Sequence, residues 1–204
     1  MKAKTSELIM KTVFQKILIA LFFTCIVLAT QSHHFMSVYH FPPAAFAVMY
    51  LGGVFLRRLS WYVYFILLVA LIDGLTISLG AATGAYISWS YLFMFPAYGV
   101  LWLAGVWVGV KTPVTMLQSL LNTMISFLSI LVAEAIASGS FYILKTQSPH
   151  NFSGFVNYYL TWAYQSVESF FFWVLPIMLV SYVAKAKVIA GLVPAQHHQD
   201  GLKP

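Results

Sequence analysis

Charge is nearly absent from the middle of this chain. Between Lys16 and Lys185 the only Lys, Arg, Asp and Glu side chains are Arg57, Arg58, Asp73, Lys111, Glu134, Lys145 and Glu168. Six apolar runs fill the space around them, near Val13–Thr30, Pro42–Leu56, Leu59–Leu79, Tyr91–Val110, Pro113–Ala137 and Trp162–Ala184. A transmembrane helix needs about 20 mostly apolar residues, and most of these runs approach that length. Of the 204 residues 61% are hydrophobic and 8% charged, where a soluble domain carries about 25% charge. A mean hydropathy of +0.84 agrees. The expected fold is an all-α membrane protein of six transmembrane helices. That composition excludes a free-standing soluble enzyme, a disordered chain and a disulfide-stapled secreted domain.

The cations set the expected orientation. Lys2, Lys4, Lys11, Lys16, Arg57, Arg58, Lys111, Lys185, Lys187 and Lys203 fall on one side of the alternating spans, and Lys145 falls on the other. Cytoplasmic loops collect Lys and Arg, so both termini are expected on the cytoplasmic side, N-in and C-in. The same placement reads the net charge of +6 as a topology signal rather than a nucleic-acid footprint. Lysines before Val13–Ala29 resemble a signal peptide, but no A-x-A site follows, so this run is expected to stay as the first helix. Residues 1–187 form one six-helix domain, and 188–204 a cytoplasmic tail.

The connections divide in the same way. Arg57-Arg58 and Lys111-Thr112 are tight inner turns. Gln31–Phe41, Gly80–Ser90 and Ser138–Thr161 are longer, face outward and hold His, Tyr, Trp, Asn and Ser. Binding residues concentrate on the longer loops of a rigid scaffold.

Three acids lie within the spans. Asp73 and Glu134 come late in outward-running helices, and Glu168 early in an inward-running one, so all three sit in the outer half of the membrane. A charge in hydrocarbon costs at least about 2.5 kcal/mol and faces the bundle interior or water. One reading gives the three acids a shared ligand cavity; the other gives them helix-packing hydrogen bonds at interface depth. Around them stand His34, Tyr39, His40, Tyr86, Ser88, Trp89, Tyr91 and Tyr164, with Tyr158 and Trp162 nearby. In part this is the usual Tyr/Trp interface belt; the remainder suits an amphipathic ligand held by apolar walls and a few polar groups. His34 and His40 are also candidate metal ligands through neutral imidazole, although no second cluster at zinc-like spacing supports a structural metal.

Small residues mark expected close helix contacts: Ala70, Gly74 and Ser78; Gly105 and Gly109; and, more weakly, Ala20 with Thr24 and Cys25 with Ala29. Cys25 is the single cysteine, so no disulfide framework exists. No GxxxxGK[ST], HExxH or GxSxG occurs. The chain is therefore expected not to be an enzyme and to carry no prosthetic group. Asn151-Phe152-Ser153 fits a glycosylation sequon.

Local sequence then points to a family. His40-Phe41-Pro42-Pro43-Ala44, Leu51-Gly52-Gly53-Val54-Phe55-Leu56-Arg57, Ile72-Asp73 and the run Pro96-Ala97-Tyr98-Gly99-Val100-Leu101-Trp102-Leu103-Ala104-Gly105 resemble the S-components of energy-coupling-factor (ECF) vitamin transporters, most closely the BtuM-type cobalamin S-components. The likeness covers Phe41 to Gly105. It implies capture of vitamin B12 from the outer side, with cobalamin as transported ligand and the lipid bilayer, a corrinoid and an ECF module (a membrane T-subunit with ATPases) as partners. In that family a cysteine near the outer loop before the fourth helix coordinates cobalt. Here Cys25 lies within the first helix instead, and Tyr86, Ser88 and Ser90 occupy the loop. His34 or His40 would then be the axial ligand, or the corrinoid would be held without a protein ligand to cobalt. Two other readings remain open: an S-component-like transporter for another vitamin, and a non-transport membrane scaffold of the MreD type.

Overall fold

The computed structural model describes the backbone of residues 2–31, 42–79, 89–110, 116–145 and 150–192, and side chains within these from 12 to 183 except 110. Among the described residues there are six α-helices, one 3-10 helix and no strand: α1 Lys2–Gln31, α2 Ala45–Phe55, α3 Leu59–Ser78, the 3-10 helix Trp89–Phe93, α4 Met94–Val110, α5 Met116–Lys145 and α6 Phe152–Leu192. Five stretches are long and apolar enough to cross a membrane: Thr12–Gln31, Leu59–Ser78, Trp89–Gly109, Met116–Lys145 and Phe152–Val183. The exception is α2. Its 11 residues rise about 16 Å, roughly half of a hydrocarbon core.

That short helix is the centre of the bundle. Ala47, Val48, Met49, Tyr50 and Leu51 are at most 1% exposed, enclosed by α1, α3, α4 and α6. Glycine permits the closest of these approaches. A Cβ added at Gly53 would overlap the Trp102 carbonyl oxygen, one at Gly105 the Tyr50 carbonyl, and one at Gly109 the Val54 carbonyl. Backbone thus rests on backbone over two turns, the contact that small residues make possible where lipid supplies no hydrophobic drive. The matched pairs 50/105 and 54/109 show that α2 and α4 run parallel. Gly74 differs: a Cβ there meets nothing within 4 Å, so the Ala70–Gly74–Ser78 repeat packs no helix at its midpoint among the described residues. On α1, Ala20 is buried while Cys25 is exposed, which separates an inward face from an outward one.

Many hydroxyls in these helices bond to nearby carbonyls or across to a neighbouring helix, as a nonaqueous surrounding demands, while the buried Ser90 Oγ in the 3-10 helix has no partner among the described residues. Thr24 and Thr30 donate to the carbonyls of Ala20 and Ile26, both at 2.8 Å. Tyr50 Oη lies 2.6 Å from Ser126 Oγ, tying α2 to α5. The chain reverses after α2 through Arg57, whose φ of 61° is left-handed, while Arg58 is extended and starts α3. Large apolar side chains such as Phe22, Leu67, Leu103 and Val180 are exposed on the outside of the bundle. A lipid bilayer suits that surface, and the architecture is that of a multi-pass membrane protein.

Two expectations are corrected. The connection placed at Ser138–Thr161 is mostly helical: α5 continues to Lys145, and α6 begins at Phe152 rather than near Trp162. Serines carry the extension of α5, since Ser138 and Ser140 donate to the carbonyls of Glu134 and Ala137 at 2.7 Å. Asn151 then caps α6 by accepting the Gly154 N–H at 2.6 Å, a preferred N-cap role. The remaining link, residues 146–149, lies outside the described residues, as do the loops 32–41 and 80–88 and the turn 111–115.

Candidate functional site

One end of the bundle gathers the finish of α1, α3 and α5 with the start of α2, α4 and α6. A cavity of about 400 Å³ opens there, lined by Gln31, Pro43, Phe46, Met94, Tyr98, Glu134, Phe141, Tyr158, Trp162 and Ser166, among others. Its size falls within the range of about 300–1,000 Å³ typical of small-molecule sites.

Helical spacing builds two of the walls. On α5, Glu134, Ala137, Ser138 and Phe141 recur at intervals of three and four and so share a face. On α6, Tyr158, Trp162, Ser166 and Ser169 do the same. Phe46 from α2 and Tyr98 from α4 close a third side, their rings edge-to-face with centroids 5.7 Å apart.

Glu134 is the polar focus. Its residue is 5% exposed, and Ser166 Oγ donates to its Oε2 at 2.7 Å. Asp73 forms a second polar centre beside the cavity. It accepts from Gln31 Nε2 at 3.1 Å and from Tyr91 Oη at 2.6 Å. Gln31 itself lines the cavity, so Asp73 is tied to the cavity wall through one side chain. These bonds join α1 and the 3-10 helix to α3. Ser140 Oγ approaches the Ser90 carbonyl at 3.3 Å, tying the same 3-10 helix to α5.

The candidates read from sequence are distributed unevenly. Glu134 lines the cavity, and Asp73 and Tyr91 stand beside it in one hydrogen-bonded group. Glu168 is exposed, as are Trp89 (78%) and Tyr164 (75%), and none of the three is on the lining. Glu168 and Tyr164 each stand two residues from Ser166 along α6, about 200° around the helix. Of the three acids that one reading gathered around a single recess, Glu134 lines the cavity, Asp73 stands next to it and Glu168 is off the lining. His34, Tyr39, His40, Tyr86 and Ser88 lie outside the described residues. Among the described residues no cluster of His, Cys, Asp and Glu could hold a metal ion.

Sequence reading missed Gln31, Phe46, Met94, Tyr98, Phe141 and Ser166. The signal was present for α6, where 158, 162, 166 and 169 form a helical stripe with mixed aromatic and hydroxyl character. Compared with known proteins, the chain matches no family model and no curated protein sequence.

Proposed function

We propose that this protein is a membrane-embedded binding subunit that captures a small amphipathic molecule from the outer side of a bacterial cytoplasmic membrane for uptake. The observation that carries this reading is the cavity itself: a buried carboxylate, Glu134, on a wall of aromatic rings, at one end of an apolar bundle. An apolar recess with few convergent polar groups is the usual form of a small-molecule site. Cation placement supports an outward opening, since Lys145 belongs to the cavity end of α5 while Lys16, Arg57 and Arg58 belong to the opposite end. In this reading all six helices, α2 included, form the membrane domain, and both termini are cytoplasmic. Import would use an ECF-type module supplied by other chains or movement of the bundle alone.

The resemblance to BtuM-type S-components makes a corrinoid the first cargo to test. The cavity volume of about 400 Å³ favours a second, smaller cargo, because a complete corrinoid with its nucleotide tail exceeds it. Such a corrinoid would enter only in part. The deciding experiment purifies the protein from cells grown with cobalamin, records its visible spectrum and identifies released small molecules by mass spectrometry. Corrinoid absorption that co-purifies assigns the cargo. A colourless protein that retains a smaller compound, lost in Glu134→Ala, keeps the uptake reading with that compound. A protein that holds neither, and fails to bind added cobalamin, favours the membrane scaffold.

A further inference from the structure

Glu134 presents an imbalance of charge. It is buried, and its partner Ser166 is a neutral hydroxyl. Asp73, joined to the cavity through Gln31, likewise has neutral partners in Gln31 and Tyr91. Among the described residues that line the cavity there is no Lys, Arg or His. At this end of the bundle the described acids are Asp73, Glu134 and Glu168, and the described basic residues are Lys145 at the far tip of α5 and the exposed His150 just before α6, neither of them on the lining. A buried carboxylate without a counter-charge is costly, and the cost falls when a cation is brought to it. The rest of the wall suits a cation too, because Phe46, Tyr98, Phe141, Tyr158 and Trp162 turn ring surfaces or edges toward the same space. Aromatic faces attract organic cations, most strongly once water is excluded.

We propose that the cavity takes an organic cation, a protonated or quaternised heteroaromatic compound whose charge lies against Glu134 and whose ring packs on the aromatic wall. This rests on the binding reading above and narrows its ligand class. An anion would be repelled by both acids. A neutral ligand would gain nothing from a charge on Glu134.

The test uses two probes that share a ring and an amide and differ in charge, 1-methylnicotinamide (cationic) and nicotinamide (neutral). Binding to the full-length protein in nanodiscs is measured by equilibrium dialysis. The expected result is at least tenfold tighter binding of the cation, abolished in Trp162→Ala. In Glu134→Gln, which keeps the shape and removes the charge, the preference should shrink to less than twofold. In Glu168→Gln, which removes an exposed charge off the lining, it should persist; if Glu134→Gln does not fold, the comparison of the two probes on the wild-type protein still decides. Equal affinity of both probes, lost together in Trp162→Ala, overturns the cation assignment and leaves the cavity as a binding site. A preference undiminished in Glu134→Gln also overturns it. Binding of neither probe overturns this inference alone; the uptake reading then stands or falls on the co-purification experiment above.

Discussion

Replacing Gly105 by alanine puts a methyl group where α4 already rests on the α2 backbone. The added Cβ would overlap the Tyr50 carbonyl oxygen and crowd the Val54 nitrogen. Neither is the end of a flexible side chain, so the strain cannot be relieved by a rotamer change. To restore ordinary contact the two helices must separate by about 1 Å, and a gap of 0.5–1 Å forfeits roughly a quarter to a half of each dispersion contact along the seam. That seam includes Tyr50, Leu51, Leu101 and Trp102, each at most 4% exposed. Overpacking of a core costs about 1–3 kcal/mol, and the double backbone contact argues for the upper end, about 3 kcal/mol. For a chain of this size each kcal/mol corresponds to about 2–4 °C in Tm, so Gly105→Ala should melt about 6–12 °C lower in detergent. Gly74→Ala is the control, because its Cβ meets nothing within 4 Å; it should melt within about 3 °C of the wild type or slightly higher, given alanine's better helix propensity. Equal losses in the two variants, or none in Gly105→Ala, would refute the claim that backbone contact between α2 and α4 fixes the bundle.

Two further outcomes follow from individual hydrogen bonds. Tyr50→Phe removes the 2.6 Å contact with Ser126 and should cost about 0.5–1.5 kcal/mol in thermal or denaturant unfolding, the usual net value of one such bond. Tyr91→Phe removes the hydroxyl that donates to Asp73, so amide exchange across Trp89–Phe93 should quicken by about tenfold, with α2 protected as before. Exchange unchanged in that segment would mean that Asp73 does not hold the 3-10 helix in place.

Much of the architecture was legible because charge is so sparse. Arg57-Arg58 marked a reversal that the left-handed Arg57 makes, and Gly105 with Gly109 marked a contact that the backbone bears out. The extension of α5 past Ala137 was not legible. Ser138-Gly139-Ser140 reads as loop when hydroxyls are assumed to face water, yet in an apolar surrounding they bond back to their own helix. The site was legible in depth but not in azimuth. Level along a helix correctly brought Asp73 and Glu134 to the same end, but it could not tell Glu168 from Ser166, which lie at nearly the same level on opposite sides of α6. Residues such as Phe46 and Tyr98 were hidden for another reason. They belong to apolar runs, and only packing decides which aromatic rings line a space and which fill the core.

Ser166 offers the most direct measurement of the account, because it lies in the cavity wall and touches Glu134. Since Cys25 is the single cysteine, Ser166→Cys in a Cys25→Ala background carries one thiol. Intact cells or spheroplasts are treated with a membrane-impermeant maleimide, and inverted vesicles are treated in parallel. An outward-opening cavity predicts labelling in the cells, little in the inverted vesicles, and protection by whatever ligand the site binds. Labelling confined to the inverted vesicles, or absent from both, would contradict it.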